Sequence, residues 1–211
     1  MFPPFATSWR LPLPLIITID DAPWCEGGNL HFGTCALTGC ANLHALVTGE
    51  HMTDGEVENA YSQWFGFNPL DPITDHGAAL ADVLTAWQTR GWSADFTMKP
   101  DGAWTLRASD LEAAIFAFGG AYSWFMLPVT SDEPDFSDGA LDAGTPGTLA
   151  HCMLEVGYDP GYVGLVSWGR VWTVSRRWRD AYWRGGFGVL HPARMLPEGV
   201  VQIDETAAPG V

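Results

Sequence analysis

The spacing of apolar residues changes half-way along this chain, and that change restricts the fold more than any other feature. Up to Gly120, apolar residues recur at every third or fourth position, as they do on the buried face of a helix. From Ala121 onward the apolar segments are shorter and are separated by turn residues, which is typical of strands. Helices followed by strands predict an α+β fold, not the alternating order of a parallel sheet.

Four helices are expected in the first half. They run from about residue 35 to 49, from 53 into the sixties, from 78 to 90 and from 109 to 119. The first should be central, because residues 36–47 are apolar on nearly all sides. Thr34 should cap its start, and Gly49 its end. Thr53 and Glu56 form the capping-box pattern that opens the second helix.

Strands are expected over residues 121–129, 149–158, 162–168 and 186–191. An acidic, proline- and glycine-containing stretch at 130–148 is interpreted as a long loop. The predicted organisation is an extended proline-rich arm, one domain with two lobes, and a loose tail. These cover residues 1–24, 25–196 (helical lobe about 25–120, β lobe about 121–196) and 197–211.

The composition excludes several classes of function. The formal net charge of -15 repels phosphate backbones and anionic lipid heads, so neither nucleic acid nor membrane is expected as a partner. No segment has the length of a bilayer span or the layout of a secretion signal. The four cysteines form no C-x-x-C pair, and the histidines lack metal-ligand spacing. No metal and no cofactor is therefore expected.

Two residues are candidates for chemistry. Cys35 stands at the start of a helix, where backbone N–H groups and the helix dipole favour a thiolate and lower the thiol pKa. It is a candidate nucleophile, and the alternative is a buried structural cysteine. His151 opens the strand at 149–158, from which its ring would act as the base. The alternative for His151 is a hydrogen-bonded core residue.

The segments around these two residues resemble the papain-like (C1-type) cysteine peptidases, most closely the group encoded by bacteriophages of actinobacteria. The resemblance rests on Gly28-Asn29 through Gly33-Thr34-Cys35, His151 through Val156-Gly157-Tyr158, Ser167-Trp168-Gly169, Thr74 through Ala78, Phe118-Gly119-Gly120, and Gly185 through Gly188. It implies a Cys-bearing helix packed on an antiparallel sheet or barrel, with Cys35 and His151 catalytic.

The resemblance assigns three further roles. Asn29 stands where the family has the glutamine of the oxyanion hole, and Trp168 where a tryptophan shields the histidine. The asparagine that orients the histidine falls on Val166, which accepts no hydrogen bond. Three alternatives stay open: Ser167 orients the ring, a backbone carbonyl does so, or the site is a Cys-His dyad.

The implied function is a phage-encoded thiol hydrolase that cleaves peptide bonds in a peptide or protein substrate. The alternative is a virion structural protein, associated with the capsid or tail, that retains a peptidase fold. It would bind other virion proteins, and the aromatic run from Trp172 to Trp183 is then a docking face instead of core. The expected location is the host cytoplasm or the virion.

Overall fold

The computed structural model describes residues 23–92 and 100–194. The predicted N-terminal arm, apart from its last two residues, and the predicted tail lie outside the described residues. The described elements, in chain order, are α1 (Cys35–Thr48), α2 (Asp54–Phe65), α3 (Leu80–Arg90), β1 (Gly102–Thr105), α4 (Leu111–Phe118), β2 (Ala121–Thr130), β3 (Glu133–Pro134), α5 (Asp138–Asp142), β4 (Gly147–Tyr158), β5 (Tyr162–Ser167), β6 (Arg170–Ser175), α6 (Arg176–Tyr182) and β7 (Trp183–Leu190).

The strands form one antiparallel sheet in the order β1-β7-β2-β4-β5-β6, and β3 pairs with β2. Within the described residues, six α-helices and a seven-stranded antiparallel sheet confirm the α+β class. Among the described helices, none combines the length and the apolar composition that crossing a bilayer requires.

Local capping signals define the first two helices. α1 ends at Gly49, whose φ of 77° is the left-handed conformation that glycine adopts freely. The capping box of α2 forms as expected, since Thr53 N–H donates to Glu56 Oε2 at 2.7 Å and Glu56 N–H donates to Thr53 Oγ1 at 3.3 Å. The cap predicted at Thr34 is wrong, because its hydroxyl makes no capping bond.

Helix α1 packs directly on β4, and the largest core cluster surrounds it. The two elements approach so closely that a Cβ on Gly39 would lie 2.9 Å from the Tyr122 ring and 3.0 Å from the Cys152 sulfur. Only glycine fits there, because real side chains do not tolerate such contacts with buried neighbours. The prediction that α1 is central and buried is therefore confirmed.

The opposite face of the sheet is covered by α6 and by aromatic side chains. Trp178 is fully buried and Tyr182 nearly so, in a cluster with Phe125, Leu127 and other residues of β2, β4, β5 and β6. Trp172 and Trp183 are partly buried and pack against the same cluster. Most of the aromatic run from Trp172 to Trp183 is therefore core.

Three expectations about elements were wrong or incomplete. Residues 130–148 are not one long loop, because they contain β3, the short helix α5 and the start of β4. β1, β6 and α6 were not predicted. β1 lies in the half expected to be helical, and it pairs with β7 through Trp104↔Gly188 and its neighbours. A strand of four residues at a sheet edge leaves little alternation to detect.

A buried ion pair crosses the core behind β4. Glu155 Oε2 lies 3.3 Å from Arg179 Nη1, and both side chains are buried. Ser123 Oγ donates to the other carboxylate oxygen of Glu155 at 2.7 Å, and Trp183 Nε1 donates to Ser123 Oγ at 3.1 Å. The network ties β2, β4 and α6 together.

A pair of buried histidines joins α1 to the end of β7. His191 Nδ1 accepts the N–H of Ala193 at 3.2 Å, so its Nε2 carries the proton and donates to His44 Nδ1 at 3.1 Å. His44 Nε2 then donates to Glu50 at 3.2 Å. Burial lowers the pKa of both rings, that of His191 to about 4. All three hydrogen bonds form with both imidazole rings uncharged.

We expect this histidine pair to make folding sensitive to acid. The folded pKa of His191 lies below the ordinary value of 6.5, so its contribution is fully present above pH 6.5 and is lost as pH falls toward about 4. Urea unfolding across that window should show a falling free energy of unfolding. The double variant His44→Gln/His191→Gln should show a flatter dependence, whereas the exposed His51→Gln should match the wild type. An unchanged slope in the double variant would contradict the assignment.

Candidate active site

Cys35 is the first residue of α1, and a tightly held loop positions it. The N–H of Gly33 donates to both carboxylate oxygens of Asp75, at 2.9 and 3.1 Å. Tyr61 donates its hydroxyl to Asp75 Oδ1 at 2.9 Å and accepts the N–H of Gly77 at 2.8 Å. A Cβ at position 33 would lie 2.9 Å from the backbone of Gly77, so glycine is required. The start of α1 is therefore fixed to the segment around Asp75.

The sulfur of Cys35 lies against β4. The backbone N–H of Cys152, the residue that directly follows His151, lies close enough to lower the pKa of the Cys35 thiol. The pairing of β5 with β4 begins at Leu154↔Val166 and runs to Tyr158↔Val163. The sulfur therefore contacts β4 ahead of the stretch that β5 covers, beside the backbone that carries His151.

The pKa expected for Cys35 is wrong in direction. Burial raises the thiol pKa, and the Asp75 carboxylate raises it further. The backbone N–H groups of Cys152, Ala36 and Cys35 itself lower it, as a helix N-terminus should, but they do not outweigh the loss of solvation. The resting side chain is a thiol.

His151 is held by two neighbours. Its Nε2 lies 2.6 Å from Ser167 Oγ, and the Trp168 ring stacks on the imidazole with a centroid separation of 4.1 Å and an interplanar angle of 7°. The ring is buried, and burial lowers its pKa to about 3. At neutral pH the imidazole is therefore uncharged, so the geometry offers a neutral thiol and a neutral base.

The strand alternation of β5 decides which residue reaches His151. Val166, where the asparagine was expected, is buried in the core cluster around α1. Successive side chains on a strand point to opposite faces, so Ser167 lies on the other face, where it contacts His151. Of the three alternatives, the structure places Ser167 at the ring. A hydroxyl both donates and accepts, so unlike a carbonyl it does not dictate the tautomer of the imidazole.

Trp168 covers the imidazole from an unusual backbone conformation. Its φ of 49° lies in the left-handed region, where a bulky side chain is an outlier. The turn is supported by Trp172, whose Nε1 donates to the carbonyl of Ser167 at 3.2 Å, and by Phe136 in edge contact with the Trp168 ring. Aromatic packing thus holds the tryptophan over His151.

Asn29 has a side-chain donor to spare. Its Nδ2 is buried and makes no hydrogen bond within residues 23–92 and 100–194. The residue follows Gly28, whose φ of 70° belongs to the turn that leads toward α1. A buried amide without an acceptor is costly unless a ligand oxygen completes it. The amide is therefore a donor without an acceptor, and the oxyanion role predicted for Asn29 stays a prediction.

Sequence reasoning missed the two residues that hold the loop before Cys35, Asp75 and Tyr61. Asp75 belongs to a segment that carried the family resemblance, but its bond to Gly33 spans 42 positions and no local pattern indicates it. In the part of the chain that the structure describes, no group of three or more His, Cys, Asp or Glu side chains is arranged to hold a metal ion.

No protein-family model matches this sequence, and no curated protein is significantly similar to it.

Proposed function

We propose that this chain is a papain-like cysteine hydrolase that cleaves peptide bonds by acyl transfer to Cys35. One observation carries the proposal: His151 is fixed through Nε2 by Ser167, and the sulfur of Cys35 lies against the adjoining peptide. Within the described residues, Nδ1 of His151 makes no hydrogen bond, to Cys35 or to any other group, and in the proposed reaction this nitrogen acts on the thiol.

The proposed reaction starts from the neutral pair. Nδ1 of His151 takes the thiol proton as the sulfur attacks the substrate carbonyl carbon, because neither group is ionised beforehand. The N–H of Cys35 and the amide of Asn29 donate to the oxyanion that forms. The imidazolium then protonates the leaving amine, and water, deprotonated by the same ring, releases the acid from the thioester.

The substrate in this proposal is a peptide or protein, the source a phage, and no cofactor takes part. The order of Cys35, His151 and Ser167-Trp168 along the chain supports the papain type, as does a helix N-terminus meeting an antiparallel strand.

A second function has an observation of its own. The raised pKa of Cys35 and a serine in place of an asparagine both weaken catalysis. They favour the virion structural protein that keeps the scaffold with little activity.

Acylation by p-nitrophenyl acetate distinguishes the two functions, because this small ester makes few demands on a binding cleft. We expect p-nitrophenolate to be released and one acetyl group to remain on the protein. Peptide mapping should locate that acetyl group on Cys35. Cys25 is the matched control: it is buried, and burial together with Asp54 raises its pKa to about 12, so Cys25→Ser should react like the wild type. If Cys35 acylates no faster than N-acetylcysteine at equal thiolate fraction, the hydrolase is excluded and the structural role remains.

A further inference from the structure

A second thiol lies beside Cys35. The backbone N–H of Cys152 faces the Cys35 thiol and lowers its pKa. Its own side chain points to α1, where its sulfur lies 3.0 Å from the position that a Cβ on Gly39 would take. Cys35 also raises the pKa of the Cys152 thiol, in addition to the larger effect of burial. The proposed hydrolysis makes no use of Cys152.

The two sulfurs lie on one side of α1. Residues 35 and 39 are four positions apart, so they lie one above the other on a helix surface. Because the sulfur of Cys152 lies over position 39, it is about one helical turn from Cys35. The absence of a side chain at Gly39 is what admits the Cys152 sulfur to this face.

The side chain of Tyr122 packs beside the Cys152 thiol. Its hydroxyl donates to the carbonyl of Ala36 at 2.8 Å, and its ring lies 2.9 Å from the position of a Cβ on Gly39, beside the Cys152 sulfur. Tyr122 itself is fully buried. The Cys152 sulfur is therefore confined between the ring of Tyr122 and the first two turns of α1.

Exposure determines which thiol an oxidant reaches first. All four cysteines are free and all lie in the described residues; Cys35 is half-buried, whereas Cys25, Cys40 and Cys152 are buried. A solute entering at the mouth of the helix meets Cys35. Cys40 cannot be its partner, since five helical positions turn the two side chains about 140° apart.

We propose that Cys35 and Cys152 are a redox pair in which a hydroperoxide oxidises Cys35 and Cys152 closes it into a disulfide. In the first step Cys35 loses its proton and its sulfur attacks one peroxide oxygen. The O–O bond breaks, the departing oxygen takes up the proton, and a sulfenic acid and an alcohol or water form. In the second step the Cys152 sulfur attacks the Cys35 sulfur, the S–O bond breaks, and water leaves with the thiol proton. A thiol reductant then cleaves the disulfide by exchange, which returns both cysteines to thiols and oxidises the reductant.

The consequence is protection of the exposed thiol. A cysteine that stops at the sulfenic stage proceeds to irreversible sulfinic acid when more oxidant is present. A second thiol within reach diverts it to a reducible state. The pair depends on the positions of two sulfurs, so it stands whether or not the chain hydrolyses peptides.

Hydrogen peroxide in equimolar amount tests the proposal on the full chain. We expect the wild type to lose two of its four free thiols, counted after unfolding, and to yield a cross-linked peptide pair containing Cys35 and Cys152. Dithiothreitol should restore all four. Sulfinic acid at Cys35 with Cys152 still free, a Cys40–Cys152 link, or a disulfide between chains would each overturn it.

Two variants make the test specific. Cys152→Ala should lose the link and accumulate sulfenic and sulfinic acid at Cys35. Cys40→Ala is the matched control, because Cys40 also lies near Tyr122 but should take no part in the oxidation. In this variant the Cys35–Cys152 disulfide should form as in the wild type. If Cys152→Ala fails to fold, the cross-linked peptide pair identified in the oxidised wild type still tests the proposal. A protein that forms the bond but does not acylate would contradict the hydrolase alone.

Discussion

Replacement of His151 by alanine should slow acylation of Cys35 by about 10²- to 10⁴-fold, the range that a positioned general base contributes. The thiol has a raised pKa, so little thiolate exists at neutral pH and the attack depends on proton transfer to the imidazole. The measurement is the rate of p-nitrophenolate release at neutral pH. The exposed His51→Ala is the control and should keep the wild-type rate.

The variant Ser167→Ala should give an intermediate loss. It leaves Nε2 of a buried imidazole without its 2.6 Å partner, a change worth about 1–3 kcal/mol and hence about 5- to 160-fold in rate. The pH dependence of the acylation rate distinguishes a positioning role from a folding defect. The rate of His151→Ala should rise only at alkaline pH, where hydroxide ionises the thiol. Ser167→Ala should keep the wild-type pH profile at a lower rate. Equal rates in the wild type and His151→Ala would remove the base from the mechanism.

Loss of Glu155 should be the most destabilising single change, with a fall of about 3–5 kcal/mol in the free energy of unfolding. Truncation to alanine leaves the buried guanidinium of Arg179 without the carboxylate at 3.3 Å and leaves Ser123 without its acceptor. Burial raises the pKa of Glu155, and Arg179 and Ser123 offset part of that rise. The charges therefore depend on each other.

Urea unfolding at neutral pH measures the effect, with Asp142→Ala as the matched control. Asp142 pairs with Arg177 at 3.2 Å, but both side chains are about two-thirds exposed, so its loss should change stability by less than about 1 kcal/mol. The double variant Glu155→Met/Arg179→Met should recover most of the stability, because it removes both buried charges. Similar losses for Glu155→Ala and Asp142→Ala would contradict the buried pair.

The elements that local chemistry specifies were predictable from the sequence. The capping box at Thr53, the terminal glycine of α1 and the long strand β4 each carry their signal within a few residues. β1 and β6 were not predictable in this way, because each is short and is defined by a partner strand elsewhere in the chain. The helix α5 is a single short turn within an acidic stretch.

Tertiary structure decides what the sequence left open in the site. Whether Val166 or Ser167 faces His151 depends on strand register, which a single residue reverses. The pKa of Cys35 depends on how much solvent the fold removes, and a helix N-terminus by itself predicts the opposite direction. The bond from Gly33 to Asp75 forms only when two distant loops meet.

Position 168 sets two demands on the chain against each other. Glycine would relax the turn at φ 49°, where a tryptophan backbone is strained by about 1–3 kcal/mol, but it would uncover the imidazole and empty the space against Phe136. Selection for a relaxed backbone would therefore favour glycine here, while any screen that requires a histidine shielded from water would reject it. The two kinds of selection should separate at this one site.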